Sequence, residues 1–448
     1  MSYRNADALG AAARTLAVIA VCAGLAQAGD NFGRQSAVGG VSIDAEGVLS
    51  TPPVEDQRAL QAARQQALEA IPGDLKQFTP LRKVSLKQFE AAIRNHRTTQ
   101  FTPLPQEIQF LAGLQQIQYV FVYPEENDIV LVGPAEGWKI DPLGNVVGLT
   151  TGRPVLALED LLVALRGARQ GVMSCSIDPT PAGLQSLQQL AKQLKTIGNP
   201  QQTMSRIEQA LGPQIVTVSG VPASSHFARV MVAADFRMKR LAMHFEEAPI
   251  AELPSFLQMM QAGRAGMSNM LPRWWLAPKA EPLLTDAEGL SWEIRNFGVQ
   301  CMTEEDFVAQ DGTRQQGVGK GSAVARKWAE NFTEKYPELA KHDSVFGQLR
   351  NVMELAVVGA LLEKHHLFDQ AGIEAPYLFG EEMLDSYPVP RRVNSSASFV
   401  KKGRDWLISA SGGVQMFPGE IADQTEQTDT LGPVREKVAV NAKNWWWN

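Results

Sequence analysis

The chain has 448 residues, 44% hydrophobic and 20% charged, a balance that excludes intrinsic disorder and fibrous repeats and allows two or three domains with sizeable cores. Its formal charge of −6, with no basic block longer than two residues, excludes a nucleic-acid surface, because such surfaces concentrate Lys and Arg against phosphates.

The first 28 residues read as a secretory leader. Arg4 and Arg14 precede the apolar run Leu16 to Leu25, which ends in Ala26-Gln27-Ala28, the small-x-small pattern a signal peptidase accepts. Cleavage is therefore expected after Ala28. Ten apolar residues are about half of what a membrane-spanning helix needs, so no transmembrane anchor is expected after processing. A lipid anchor fails as well, since Cys22 follows Val21 where a lipobox wants a small residue. The expected location is secreted or periplasmic. Disulfides persist there, and Cys175 with Cys301 is the single candidate pair left, the alternative being two buried free thiols in separate cores.

In chain order, Val41, Ile43, Val48 and Leu49 flank Asp44-Ala45-Glu46-Gly47, a hairpin with a type I turn and glycine at its left-handed position. Asp141-Pro142-Leu143-Gly144 and Asp286-Ala287-Glu288-Gly289 repeat the turn. Thr51-Pro52 opens a helix that Pro72-Gly73 stops, and Ser85 with Gln88 forms a capping box for the next. Tyr119 to Tyr123 and Asp128 to Val132 form a hairpin so continuously apolar that it is expected to be buried on both faces. A helix from Leu158, a strand from Val172 to Ile177, helices opened by Thr180-Pro181 and Asn199-Pro200, and a strand from Ile215 to Val218 suggest an α+β unit. Phe227 to Leu241 is read as a helix capped by Ser224 or Ser225. Strands are expected at Arg273 to Leu276, Leu290 to Arg295 and Val299 to Met302. The Gly-rich stretch Asp311 to Ser322 reads as a mobile link. Beyond it the chain turns helical, with Val324, Trp328, Phe332 and Tyr336 on one stripe and Ser344 capping a long helix to about His366. A last hairpin pairs Ala397 to Lys401 with Trp406 to Ser409, and residues 420–448, ending in Trp445-Trp446-Trp447, read as a loose tail.

None of the six histidines has the spacing of a zinc helix, so no metal and no cofactor is assigned. Ser225-His226 and His342-Asp343-Ser344 hold the residue types of a catalytic triad, yet neighbours in sequence rarely converge as a triad requires, and both serines read as helix caps. Gly317 to Ser322 lacks the first glycine of a phosphate loop. The loop Gly133 to Trp138 is the more interesting place, because it leaves a rigid strand carrying Glu136 and Trp138. Glu136 is the candidate catalytic carboxylate, with Asp128 as a second acid, and turn packing is the alternative. Trp138, Trp274 and Trp275 are candidate ligand-stacking residues, with core packing as the alternative.

Several longer segments are specific: NDIVLVGPAEGWKID (Asn127 to Asp141), LEDLLVAL (Leu158 to Leu165), SCSIDPTPAGL (Ser174 to Leu184), DFRMKRLAM (Asp235 to Met243), PRWWLAP (Pro272 to Pro278) and FVKKGRDWLISASGGVQ (Phe399 to Gln415). In these the chain resembles a family of exported planctomycete proteins containing a domain of unknown function. The resemblance implies export and an integrated architecture, and brings no activity or catalytic residue with it.

The expected fold class is α+β, in two or three packed domains with antiparallel hairpins and a largely helical segment near residues 322–366. The expected segments are 1–28, 29–165, 166–310, 322–419 and 420–448. The expected role is a secreted or periplasmic binding or structural protein of the cell envelope; no partner is assigned, an envelope component or a protein partner being the candidates. The alternative is an exported hydrolase built on the Glu136 loop. A deep pocket with converging carboxylates or His would favour an enzyme, and a flat apolar patch a binding protein.

Overall fold

The computed structural model describes residues 40–99, 104–193, 199–262, 270–308, 314–319, 322–380, 386–396, 400–402, 405–407 and 410–439. The leader and the Trp445 to Trp447 run lie outside the described residues.

The strands of the first half are β1 (Ser42–Ile43), β2 (Val48–Ser50), β3 (Thr79–Ser85), β4 (Tyr119–Tyr123), β5 (Asp128–Ala135), β6 (Trp138–Ile140), β7 (Val146–Gly148), β8 (Met173–Asp178) and β9 (Gln214–Ser219). Those of the second half are β10 (Met270–Lys279), β11 (Leu283–Thr285), β12 (Ser291–Glu293), β13 (Gly298–Val308), β14 (Arg314–Gly319), β15 (Arg392–Val393), β16 (Val400–Lys402), β17 (Asp405–Leu407), β18 (Ser411–Met416) and β19 (Thr425–Gln427). The helices that shape the core and the site are α1 (Val54–Ala67), α2 (Leu86–Thr99), α3 (Leu158–Gly167), α4 (His226–Ala242), α5 (Ala323–His342), α6 (Ser344–Lys364) and α7 (Gly432–Ala439).

Helices and mixed sheets make this an α+β fold. One sheet has nine strands in the order β1-β2-β15-β9-β8-β18-β10-β13-β14, and another has six in the order β19-β11-β12-β4-β5-β3. Both draw strands from more than one of the segments expected from the sequence, so the sheets do not respect those boundaries. The three Asp-x-x-Gly turns form as their chemistry dictates. Asp44 Oδ1 accepts from the Glu46 and Val48 N–H groups, Asp141 Oδ1 from Leu143 and Asn145, and Asp286 Oδ1 from Leu290 and Ser291.

The hairpin β4–β5 is buried on both faces. Val120, Val122, Ile129 and Leu131 belong to the main core, while Phe121, Tyr123, Val130 and Val132 pack on the other side with Val438 of α7. That second face corrects the expectation of a loose tail. Described residues from 420 onward complete a short helix, add β19 alongside β11, and close with α7, because the apolar outer face of β4–β5 needs a cover. Tyr123 donates its hydroxyl hydrogen to Arg435 O at 3.0 Å, and the Arg435 guanidinium lies over the Tyr123 ring and donates to Val122 O.

Two more expectations change. Within the stretch read as a mobile link, residues 314–319 form β14, which pairs antiparallel with β13. The Gly content had argued for a loop, but the open edge of β13 captures the backbone. Ser344 does not cap α6. Asp343 does, accepting from Val345 N, while Ser344 Oγ accepts from Asn145 Nδ2 at 2.8 Å.

The candidate disulfide is absent, and both Cys175 and Cys301 are buried free thiols. Cys175 pairs with Val414, Leu276 pairs with both Val414 and Cys301, so the two cysteines end a single row across four adjacent strands. Three strand spacings of about 4.8 Å hold them far beyond disulfide reach. β18 fits between β8 and β10 because it carries Gly412-Gly413. A Cβ on Gly412, whose φ is +112°, would lie 1.8 Å from Trp274 O.

α6 is long and apolar enough to cross a membrane by length and composition, and 89% of that stretch is buried inside the protein, as a core helix is. At Gly359 it closes on α3, where a Cβ would lie 2.7 Å from Ala164 O. This close approach fixes α6 against the helix that carries Asp160.

Candidate functional site

The loop singled out from the sequence is a structural clamp. Glu136 is fully buried, and its carboxylate accepts from the backbone N–H groups of Thr150 and Thr151, from both of their hydroxyls, and from Gln115 Nε2 at 2.9 Å. Burial alone would raise its pKa, but these hydrogen bonds outweigh burial and hold it at about 2. A carboxylate so completely engaged has no acceptor left for a substrate proton. Glu136 therefore does not fit the catalytic role expected of it.

Asp128 caps a helix across strands. It accepts from Ser85 Oγ at 2.5 Å and from Lys87 N at 3.1 Å, while Ser85 Oγ accepts from Gln88 N as the capping box predicts. Burial raises Asp128 to about 6 in spite of those bonds.

The tryptophans resolve into packing. Trp138 is buried with its ring edge-on to Phe110 at 5.6 Å. Trp274 is fully buried between Phe256 and Trp328, whereas Trp275 turns to the other face of the sheet beneath the Arg273 guanidinium, 3.9 Å from its centroid. None of these five candidates lines the large cavity described next.

That cavity has a volume of about 700 Å³ and opens between α1, the β6–β7 turn, the first turns of α3 and α4, and α6. Glu159 and Asp160 stand in the first turn of α3, where the helix macrodipole favours negative charge. His226 is the first residue of α4, whose cap is Ser225: its Oγ accepts from Ala228 N and donates to Pro222 O. Because α3 and α4 pack with these ends together, Asp160 meets His226, with both carboxylate oxygens 3.0 Å from the imidazole Nδ1. Burial opposes the imidazolium, but Asp160 and Glu159 outweigh it and raise the His226 pKa above its ordinary value. Nδ1 then carries a hydrogen donated to Asp160, and among the described residues Nε2 has no hydrogen-bond partner.

Beside this pair, Tyr387 donates its hydroxyl hydrogen to the Glu159 carboxylate at 3.0 and 3.1 Å. Its ring centroid lies 6.0 Å from that of His226, and the buried Arg229 guanidinium lies 5.1 Å from it on α4. Burial lowers the Arg229 pKa to about 10, although the Tyr387 and Glu159 charges work the other way. Across the space, Arg64 of α1 donates to Gly144 O at 2.5 Å.

Sequence reasoning weighed Ser225-His226 and set it aside, correctly for Ser225, which is a cap. What it missed is the orienting acid, 66 residues away at the start of LEDLLVAL. A helix beginning with two carboxylates before an apolar stripe was the available signal.

No curated protein and no solved structure matches the chain. Residues 175–256, which include His226 and Arg229 but not Asp160, Glu159, Arg64 or Tyr387, match the family described as Protein of unknown function (DUF1598).

Proposed function

We propose that the chain binds a small polar molecule in this cavity and that His226 is the group that exchanges a proton with it. The observation that carries the reading is the His226–Asp160 pair on the wall of a partly open cavity of about 700 Å³, a volume typical of small-molecule sites. Asp160 holds the ring in one orientation and keeps the Nδ1 proton, which leaves Nε2 as the working nitrogen. With its pKa raised, His226 keeps its second proton to a higher pH than a free imidazole does. It can therefore donate from Nε2 to a bound oxygen, and accept once that proton has gone. Tyr387, its hydroxyl hydrogen donated to Glu159, flanks the His226 ring.

A calorimetric and thermal-shift screen of small polar metabolites against the wild type, His226→Gln and Asp160→Asn tests this. The expected result is a compound whose affinity falls at least about tenfold in both variants. A screen that yields no ligand, or ligands indifferent to His226→Gln, overturns it.

Export belongs to the same reading. It is supported by the Leu16 to Leu25 run, by Ala26-Gln27-Ala28 and by the segments resembling exported planctomycete proteins. N-terminal sequencing of the native protein is expected to begin at Gly29, and a mature chain still beginning at Met1 overturns it.

A further inference from the structure

One wall of the cavity carries a donor and an acceptor whose roles are fixed by their neighbours. The Arg64 guanidinium makes one hydrogen bond, to Gly144 O, and has no ion-pair partner among the described residues. A guanidinium without an ion-pair partner on a cavity wall is a site for an oxyanion.

The next residue along that turn, Asn145, sets the orientation of Gln348. Its Nδ2 donates to Asp141 Oδ2, a carboxylate that can only accept, and to Ser344 Oγ, which leaves Asn145 Oδ1 as the acceptor. Gln348 Nε2 donates to that oxygen at 3.3 Å, so the other end of the Gln348 amide is necessarily its carbonyl. Gln348 Oε1 is shielded from solvent and has no hydrogen-bond partner. A shielded acceptor of this kind awaits a donor. Both groups are tied to consecutive residues of one turn, Gly144 and Asn145, and both line the cavity.

Of the carboxylates that line the cavity, Asp160 is engaged with His226, Glu159 with Tyr387 and Asp44 with its own turn, while Asp56 is exposed two helical turns before Arg64 on α1. An ammonium group could satisfy Gln348 Oε1, but it would lie close to the Arg64 guanidinium. A hydroxyl satisfies it without that repulsion.

We propose that the molecule taken by the cavity is a small hydroxylated carboxylate, its anionic end on Arg64 and a hydroxyl donated to Gln348 Oε1. This rests on the cavity being the ligand site proposed above. Within it, Arg64 and Gln348 select the ligand and His226 works on it.

Isothermal calorimetry with three probes tests the assignment: D-gluconate, D-glucose, which keeps the hydroxyls without the anion, and hexanoate, which keeps the anion without the hydroxyls. The expected result is that gluconate binds at least tenfold more tightly than either. Arg64→Gln should then lose gluconate binding at least tenfold while leaving glucose unchanged, and Gln348→Leu should weaken gluconate without weakening hexanoate. α1 buries only Leu60, so Arg64→Gln leaves the core intact, and Arg64→Lys is the variant expected to retain part of the affinity. Glucose binding as tightly as gluconate, gluconate binding unchanged in Arg64→Gln, or no gluconate binding at 10 mM on the order of the weakest useful affinities overturns the proposal. If a neutral ligand then proves dependent on His226, the site reading stands and only the ligand class fails. If no ligand depends on His226, both fail.

Discussion

Glu354 shows how a single buried carboxyl writes a pH dependence into this fold. It lies on α6, accepts from Ile117 N at 2.9 Å and has Arg350 Nη2 at 3.8 Å. Burial raises its pKa from 4.5 to about 7, against the opposing pull of Arg350 and the Ile117 N–H. A carboxyl whose folded pKa lies above its unfolded value stabilises the fold fully below the unfolded value, and that contribution is lost as pH rises through the folded one. Between pH 5 and pH 8 the wild type should therefore lose up to about 3 kcal/mol relative to Glu354→Gln, which keeps the acceptor and does not titrate. Urea denaturation of both proteins at the two pH values checks it, and parallel losses contradict it. The cysteines give a second prediction at this scale. Both thiols are buried and their pKa values are raised by burial, so a thiol reagent should label neither Cys175 nor Cys301 in the native protein and both after unfolding without reductant. A disulfide-linked form on non-reducing mass analysis contradicts the row of strands that separates them. Residue roles were the least legible part of the sequence. Glu136 stood out because its neighbours are glycine, proline and tryptophan, and the structure uses that same tightness to hold Thr150 and Thr151. His226 was passed over because its partner lies on another helix.

At the scale of elements, local chemistry was legible wherever it is self-contained. The Asp-x-x-Gly turns, the Ser85 and Ser225 caps and the helix from His226 to Ala242 follow from hydrogen bonds within a few residues. The misreadings were of segments whose structure depends on a distant partner: β14 on the edge of β13, and α7 on the outer face of β4–β5. The sequence did announce that this face needs covering, since both strands are apolar throughout, but gave no sign of which segment covers it. α7 buries Val438 there as its one fully covered side chain. Val438→Asp should release the helix and cost about 2 kcal/mol or more, from lost apolar burial and a carboxylate that would otherwise enter the contact. Stability by chemical denaturation, with tryptic cleavage after Arg435 or Lys437 as the local readout, checks it. Unchanged stability and unchanged protease resistance would show that α7 contributes nothing to the fold.

Taken whole, the described residues form two large mixed sheets and two short hairpins locked by buried helices, with a large cavity of mixed polar and apolar lining where α3, α4, α6 and α1 come together. The α+β class was legible because strand alternation and helix stripes survive averaging over the chain. The cavity was not, because its walls come from residues 42 to 387, and convergence is set by packing rather than by spacing. Gly359, which lets α6 close on α3, is a case in point: in sequence it is one small residue in an apolar run. The pairing of His226 with Asp160 in that cavity carries the proposed function. An NMR titration of the His226 ring in the wild type and in Asp160→Asn tests it most directly. The expected wild-type midpoint lies above 6.5, with Nδ1 protonated throughout, and falls in the variant, which lacks the Asp160 charge. A midpoint at or below 6.5 that Asp160→Asn leaves unmoved would contradict it.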